Sequence, residues 1–348
     1  MHLLTSVPHK RWNPLEREWV LVSPHRTQRP WQGQVESVAV PAGIAYDPVC
    51  YLCPGNERAG GHRNPAYEST FVFTNDYAAL KPGVEAESLN LENLIRAQSE
   101  RGICKVVCFS PVHHLTLPRM AAEDVRDVID VWGEQYEQIA ANDWIRYIQV
   151  FENRGEMMGA SNPHPHGQIW ASESLPNRIE QELESQTEYW HGNHKCLLCE
   201  YLKLELSSRE RIVAENDLFV AVIPFWAIWP FETMVLPKFH AADLNQFDGS
   251  QRTSFGDILQ QVTTRYDNLF QVSFPYSMGL HGAPLGIASD GWHFHVHFLP
   301  PLLRSATVRK FMVGYELMGS PQRDITPESA AERLRNLPGR HYSAPQAL

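Results

Sequence analysis

The sequence predicts an α+β fold, an antiparallel sheet with helices packed on one side. Three observations carry this. Short runs rich in β-branched and aromatic residues, separated by turn residues, recur along most of the chain. Each half shows one main amphipathic helix, too few for a doubly wound α/β arrangement. The same order of features also occurs twice: a Cys-x-x-Cys pair, strand-like runs, a turn closing on His, a helix and a His-rich strand.

The first copy begins with a strand from Trp19 to Val22 and a basic turn carrying Arg26 and Arg29. Cys50 and Cys53 follow, running into a Gly/Asn-rich loop at 54–65 rather than into a helix, which argues against a thioredoxin-type redox pair. Phe71 to Asn75 reads as a strand, residues 82–101 as an acidic surface loop, and Lys105 to Phe109 as a strand closed by Ser110-Pro111-Val112-His113-His114. Val125, Val128, Ile129, Trp132, Tyr136, Ile139 and Ala140 fall on one helical face, with Gly133 as the weak point. A strand at Ile148–Glu152 leads into Asn162-Pro163-His164-Pro165-His166-Gly167-Gln168-Ile169-Trp170.

The second copy opens at Cys196 and Cys199 and continues through strands at Leu218–Pro224 and Thr233–Leu236. Pro237 to His240 then parallels the turn at 110–114. Its helix shows Phe255, Ile258, Leu259, Val262, Tyr266, Leu269 and Phe270 on one face, and it closes on Trp292-His293-Phe294-His295-Val296-His297-Phe298. The expected division is an N-terminal half at 1–172, a charged, helix-compatible connection at 173–195, and a C-terminal half at 196–348. The segment after 338 reads as a frayed tail.

Composition excludes several classes. Hydrophobic residues at 43% and charged residues at 20% are globular values, and the net charge of −10 disfavours a nucleic-acid binder. No apolar run approaches a membrane span, and the N-terminus lacks the apolar region of a signal peptide, so the cytoplasm is the expected compartment. In a reducing compartment two Cys-x-x-Cys pairs point to metal, and the sixteen histidines supply partners. Cys50 and Cys53 with His113 or His114 and one histidine of the His-x-His row make a closed Cys2His2 zinc set.

An extended His164-x-His166-x-Gln168 puts three polar side chains on one face. If His164 is a ligand, His166 is held beside it but left free, and a fixed neutral imidazole is a good nucleophile toward phosphorus. Gln168 is then placed to donate to a phosphoryl oxygen, and Gly167 to admit substrate close to the backbone. The competing arrangement makes both histidines ligands of one metal, but the first following carboxylate is Glu173.

The stretch from Ser161 to Trp170 resembles the active-site signature of the galactose-1-phosphate uridylyltransferase family, within the histidine-triad superfamily. Similar blocks run through Val22–Arg26, Phe73–Asp76, Tyr266–Phe270, Phe274–Gly279 and Leu303–Glu316. One departure is Ala160, where relatives often carry Cys. The resemblance implies two histidine-triad-like repeats, each with a half-barrel sheet. It also implies exchange of UMP between UDP-glucose and galactose 1-phosphate through a uridylyl group on His166, giving UDP-galactose and glucose 1-phosphate.

By matching position, Arg26 and Arg29 would meet phosphates, while Asn75, Asn153 and Ser161 would hold the nucleotide and phosphoryl group. Gln168 would bind the transferred group, and Lys310, Val313, Tyr315, Glu316 and Gln322 would contact the hexose and its phosphate. The family pattern also implies a second metal, iron or zinc, at Glu182, His281, His295 and His297, and a homodimer whose sites draw on both chains. Beyond that pattern, the duplication makes Cys196, Cys199, His240 and His293 candidates for a further zinc site, with His293 in the part of His164. Two rival readings are a histidine-triad hydrolase or phosphorylase of dinucleoside polyphosphates and a non-catalytic zinc-stabilised binding module. The long 303–316 and 274–284 blocks count against the first, the acidic charge against the second.

Overall fold

The structure is a computed structural model that describes residues 6–28, 43–160, 162–303, 305 and 312–344. A small sheet joins β1 (His9–Asn13), β2 (Glu18–Val22) and β14 (Gln322–Arg323), the last running parallel to β2. The main sheet has nine strands, all paired antiparallel. Its first part, from one edge, is β3 (Phe71–Thr74), β6 (Gly102–Cys108), β8 (His166–Ser172) and β7 (Tyr147–Arg154). It continues through β12 (Tyr276–His281), β13 (His295–Leu299), β11 (Thr233–Pro237), β10 (Phe219–Val222) and β9 (Ile212–Glu215).

The two copies meet where β7 pairs with β12, from Tyr276 opposite Arg154 to Leu280 opposite Val150. Outward from that seam the strand order matches: β8 answers β13, β6 answers β11, and β3 answers β10. The expected α+β fold with two repeats is what the chain adopts.

Helices α1 (Ala122–Ala140) and α4 (Gly249–Phe270) cover one face of this sheet. Of the apolar rows read from the sequence, Val125, Val128, Ile129, Trp132, Tyr136 and Ile139 in α1 and Phe255, Ile258, Leu259, Val262 and Tyr266 in α4 are buried, and Ala140, Leu269 and Phe270 are partly buried against the same core. They join a core that includes Ile169, Ala171, Phe294 and Val296 from the His-rich strands. A Cβ on Gly133 would stand 3.1 Å from the Arg252 guanidinium, which crosses α1 to reach Asp130 at 2.9 Å. α4 starts in a capping box of Asp248 and Gln251. No helix among the described residues is long and apolar enough to cross a membrane.

Three segments differ from expectation. Residues 82–101 contain a hairpin, β4 (Ser88–Leu91) against β5 (Ile95–Gln98), whose turn puts Glu92 and Asn93 at φ 53° and 60°. The alternation of Leu89 and Leu91 with polar neighbours carried that signal. The connection at 173–195 holds α2 (Asn177–Asn193), as its composition allowed, but the segment after it is not strand-like: Cys196 caps an unexpected α3 (Leu197–Ser208), its Sγ accepting from the Cys199 amide at 3.4 Å. The described part of the carboxyl-terminal segment is pinned rather than frayed. Asn268 donates to the Pro338 and Arg340 carbonyls, and His341 Nε2 lies 3.1 Å from Asp267.

Asp267 also takes a bidentate pair of bonds from Arg154, both at 2.8 Å and both groups buried. Burial alone would raise the Asp267 carboxyl, but the Arg154 charge together with hydrogen bonds from His341, Arg154 and the Phe274 amide holds it below its ordinary value. Asp267→Ala leaves a buried guanidinium without its counter-charge and should cost about 3–5 kcal/mol in a denaturant titration. Because the native pKa is depressed, this stabilisation is whole above the ordinary carboxylate range and fades as pH falls below about 4.

Candidate active site and metal centres

The period-two pattern of β8 sends Gly167, Ile169 and Ala171 into the core and leaves His166, Gln168 and Trp170 half-buried on the other face. Gly167 has a different role from the one expected. A Cβ there would lie 2.9 Å from the Phe109 ring and 2.9 Å from the Phe151 carbonyl, so the glycine serves packing behind the strand rather than access in front of it.

His164 precedes the strand and is fully buried. Its Nε2–H donates to the Ser110 carbonyl at 2.8 Å, which leaves the Nδ1 lone pair facing Cys53 Sγ at 3.5 Å. His113 Nδ1 lies 3.4 Å from the same sulfur, and Cys50 completes the group, with all four donor atoms within 4.8 Å of one another. His114 instead turns outward to the Ile44 carbonyl at 2.8 Å. Tetrahedral zinc with ordinary Zn–S and Zn–N bonds separates its ligand atoms by about 3.3–3.8 Å. The donor set and spacing fit zinc, and a carbonyl behind the ligating imidazole is the usual supporting contact. Burial pushes the Cys53 thiol up to about 11, so a cation is what would ionise it here.

His166 Nδ1–H donates to the His164 carbonyl at 2.8 Å. That bond fixes the tautomer and leaves the Nε2 lone pair available. Burial lowers the imidazole pKa despite the carbonyl contact, so the ring is neutral near pH 7. The Gln168 amide oxygen accepts from Trp170 Nε1 at 2.9 Å and Asn75 Nδ2 at 3.4 Å, leaving its amide nitrogen as the group that can donate. Asn153, on β7, is held by the Ser277 hydroxyl at 2.7 Å.

In the other half, Glu182 on α2 meets His281, His295 and His297 in a fully buried group. His281 Nδ1 is 2.9 Å from Glu182 Oε2. His295 spends its Nδ1–H on the His293 carbonyl at 2.8 Å, so its Nε2 lone pair faces a carboxylate oxygen at 3.3 Å. Two acceptors in contact call for a cation. Glu182 Oε1, His295 Nε2 and His297 Nε2 are likewise buried without a hydrogen-bond partner. Burial would raise the Glu182 carboxyl, but the surrounding imidazoles outweigh it and hold it well below the usual range, while burial lowers His281 and His297. One carboxylate and three imidazoles suit iron or zinc.

Cys196, Cys199, His240 and His293 form a third grouping with donor atoms within 4.8 Å. Arg26, Tyr315, Glu316 and Gln322, with Leu21 and Ser23, line a separate cavity of about 270 Å³ at the small sheet, where Arg26 also pairs with Asp324 at 3.1 Å. Val313 and Tyr315 are exposed beside it. Arg29, Ser161 and Lys310 lie outside the described residues. Sequence reasoning missed the supports: Asn162 Oδ1 accepts from the His164 amide at 2.8 Å, and Gln186 Oε1 accepts from the His293 amide at 3.0 Å. For Gln186 a signal existed, its place one helical turn beyond Glu182.

Residues 2–176 match the model of the galactose-1-phosphate uridyl transferase N-terminal domain, and residues 182–346 that of its C-terminal domain. A galactose-1-phosphate uridylyltransferase of Haemophilus influenzae is 50% identical over 339 residues, and one of Saccharomyces cerevisiae 49% identical over 355, each alignment covering 97% of both chains. Among solved structures, a uridylyltransferase superposes with a TM-score of 0.74 at 25% identity over 94% of this chain and 97% of that one. An ADP-glucose phosphorylase from Arabidopsis thaliana with bound ADP-glucose gives 0.74 at 26% identity over 94% and 99%. Matched along nearly its whole length at this level of identity, the chain belongs to the galactose-1-phosphate uridylyltransferase family.

Proposed function

We propose that this transferase moves UMP between UDP-glucose and galactose 1-phosphate by two displacements through His166. The observation that carries this is the His166 Nδ1–H bond to the His164 carbonyl, which leaves a neutral Nε2 lone pair on a strand fixed from behind. Nε2 attacks the α-phosphorus, and the bond to the bridging oxygen breaks, releasing glucose 1-phosphate. A phosphate oxygen of galactose 1-phosphate then attacks the same phosphorus and breaks the P–N bond. UDP-galactose leaves and the imidazole is restored.

Gln168 donates its amide to the phosphoryl oxygen as charge builds there, and Asn75 holds Gln168 in place. Asn153 and Ser161 hold the nucleotide and phosphoryl group, and Arg29 meets phosphate. Arg26, Lys310, Val313, Tyr315, Glu316 and Gln322 receive the hexose phosphate. Of these, Arg26, Tyr315, Glu316 and Gln322 line the cavity at the small sheet rather than the His166 strand, and Val313, Tyr315, Leu317 and Met318 are exposed. Both facts support a homodimer in which this surface serves the partner's nucleotide.

Cys50, Cys53, His113 and His164 would hold structural zinc, and Glu182, His281, His295 and His297 the second metal, iron or zinc. Bound zinc supplies the charge that fixes His164, and with it the carbonyl that orients His166. We place the joint between the halves at 173–195, where α2 lies, and the enzyme in the cytoplasm, in keeping with six unpaired cysteines.

The likeness to an ADP-glucose phosphorylase favours a second reading, phosphorolysis of a nucleotide sugar, over the dinucleoside polyphosphate one. Both are decided by separating products after incubation with UDP-glucose plus galactose 1-phosphate, or with ADP-glucose plus inorganic phosphate. UDP-galactose and glucose 1-phosphate should form rapidly in the first mixture. A faster second reaction, or no exchange in the first, contradicts the proposal.

A further inference from the structure

The Cys196 pair stands outside the reaction just described, yet its surroundings repeat those of the Cys50 pair contact by contact. His293 Nε2–H donates to the Pro237 carbonyl at 3.2 Å, as His164 Nε2–H does to Ser110. Pro237 and Ser110 each stand three residues before the histidine of their turn, His240 and His113. The freed His293 Nδ1 lies 3.4 Å from Cys199 Sγ and 3.4 Å from His240 Nδ1, and His240 Nδ1 lies 3.6 Å from Cys199 Sγ. Tetrahedral zinc requires about 3.6 Å between sulfur and nitrogen ligands and about 3.3 Å between two nitrogens. The His293 amide is fixed by a side-chain carbonyl oxygen, as is that of His164.

Two ring nitrogens and a sulfur within 3.6 Å of one another, with the His293 Nδ1 lone pair bared because its ring proton is spent on a carbonyl, have the spacing and the lone pairs of a metal-ligand set. We propose that Cys196, Cys199, His240 and His293 hold a zinc ion of their own, a third metal centre per chain. The ion clamps the start of α3 and the end of β11 to the residue that leads into β13. It sits next to the Glu182 group, because His293 and His295 are alternate residues and Gln186, which holds His293, shares α2 with Glu182. In the N-terminal half the corresponding row keeps His166 free of metal. In this half both His293 and His295 are ligands, so no nucleophile remains.

The third centre also differs from the first in access. All four residues of the Cys50 group are buried, whereas His240 is exposed and Cys199 partly so. A chelator should therefore reach the third ion first.

The test uses the full chain purified without chelator, loaded with cobalt(II) in place of zinc, and read by thiolate-to-cobalt charge transfer and by metal analysis. Two thiolate-bound cobalt ions per chain are expected, falling to one in Cys196→Ser/Cys199→Ser. A double variant that folds with the wild-type signal and metal content overturns the proposal. His240→Ala, at an exposed position, guards against misfolding of the double variant. It should release one zinc equivalent to a mild chelator at least tenfold faster than the wild type, and unchanged release overturns the proposal equally. None of these readouts depends on the exchange reaction.

Discussion

His166→Ala should fold normally and exchange no uridylyl groups. Loss of a catalytic nucleophile that acts with its neighbours lowers kcat on the order of 10⁴- to 10⁶-fold, and the other contacts to substrate do not replace it. The fold has little at stake, since the His166 ring is half-buried and makes one hydrogen bond, to the His164 carbonyl. Removing it should cost about 1 kcal/mol, a small shift of the melting temperature. Exchange kinetics beside a thermal melt separate the two effects. A variant that melts as the wild type does and retains more than a hundredth of its kcat would remove His166 from the mechanism.

The second large effect falls on stability. Cys50→Ser/Cys53→Ser removes both thiolates from the first centre, whose zinc would tie the loop at 50–56 and the turn at 110–113 to His164. In peptides that fold only around zinc, the ion supplies about 10–16 kcal/mol. This chain has a large apolar core of its own, so the loss should be smaller, several kcal/mol, with one zinc equivalent missing. Activity should fall as well, because the carbonyl that orients His166 belongs to His164. Equal zinc content and an equal melting temperature in the double variant would show that the four side chains hold no structural ion.

Much of this layout is legible in the sequence because it rests on local periodicity and on pairs of cysteines. The apolar faces of α1 and α4 follow a 3.6-residue period, and Phe71–Thr74, Gly102–Cys108 and Tyr147–Arg154 have strand composition. Repetition of the Cys, turn-His and row-His order gave the two-repeat fold. The seam between β7 and β12 was not legible, because strand pairing at that sequence distance leaves no local mark. Neither was the choice between His113 and His114, adjacent residues that point to opposite sides of one turn.

Gly167 was misread toward the substrate although the period-two alternation already sets it opposite His166 and Gln168; what the sequence does not show is the Phe109 ring and Phe151 carbonyl packed against it. The carboxyl-terminal segment looked loose by composition, yet Asn268 and Asp267 hold it through side-chain bonds that only the tertiary structure reveals.

The central claim is a covalent uridylyl group on His166 Nε2, and its most direct test is isolation of the labelled chain. The protein is incubated with UDP-glucose labelled in the α-phosphate, without galactose 1-phosphate, and then freed of nucleotide under denaturing alkaline conditions. A phosphoramidate at histidine predicts a label stable to base and lost in acid, located by peptide mapping to the segment containing His166, and discharged as UDP-galactose when galactose 1-phosphate is added before quenching. No label on the wild type, or an undiminished label on His166→Ala, would contradict it.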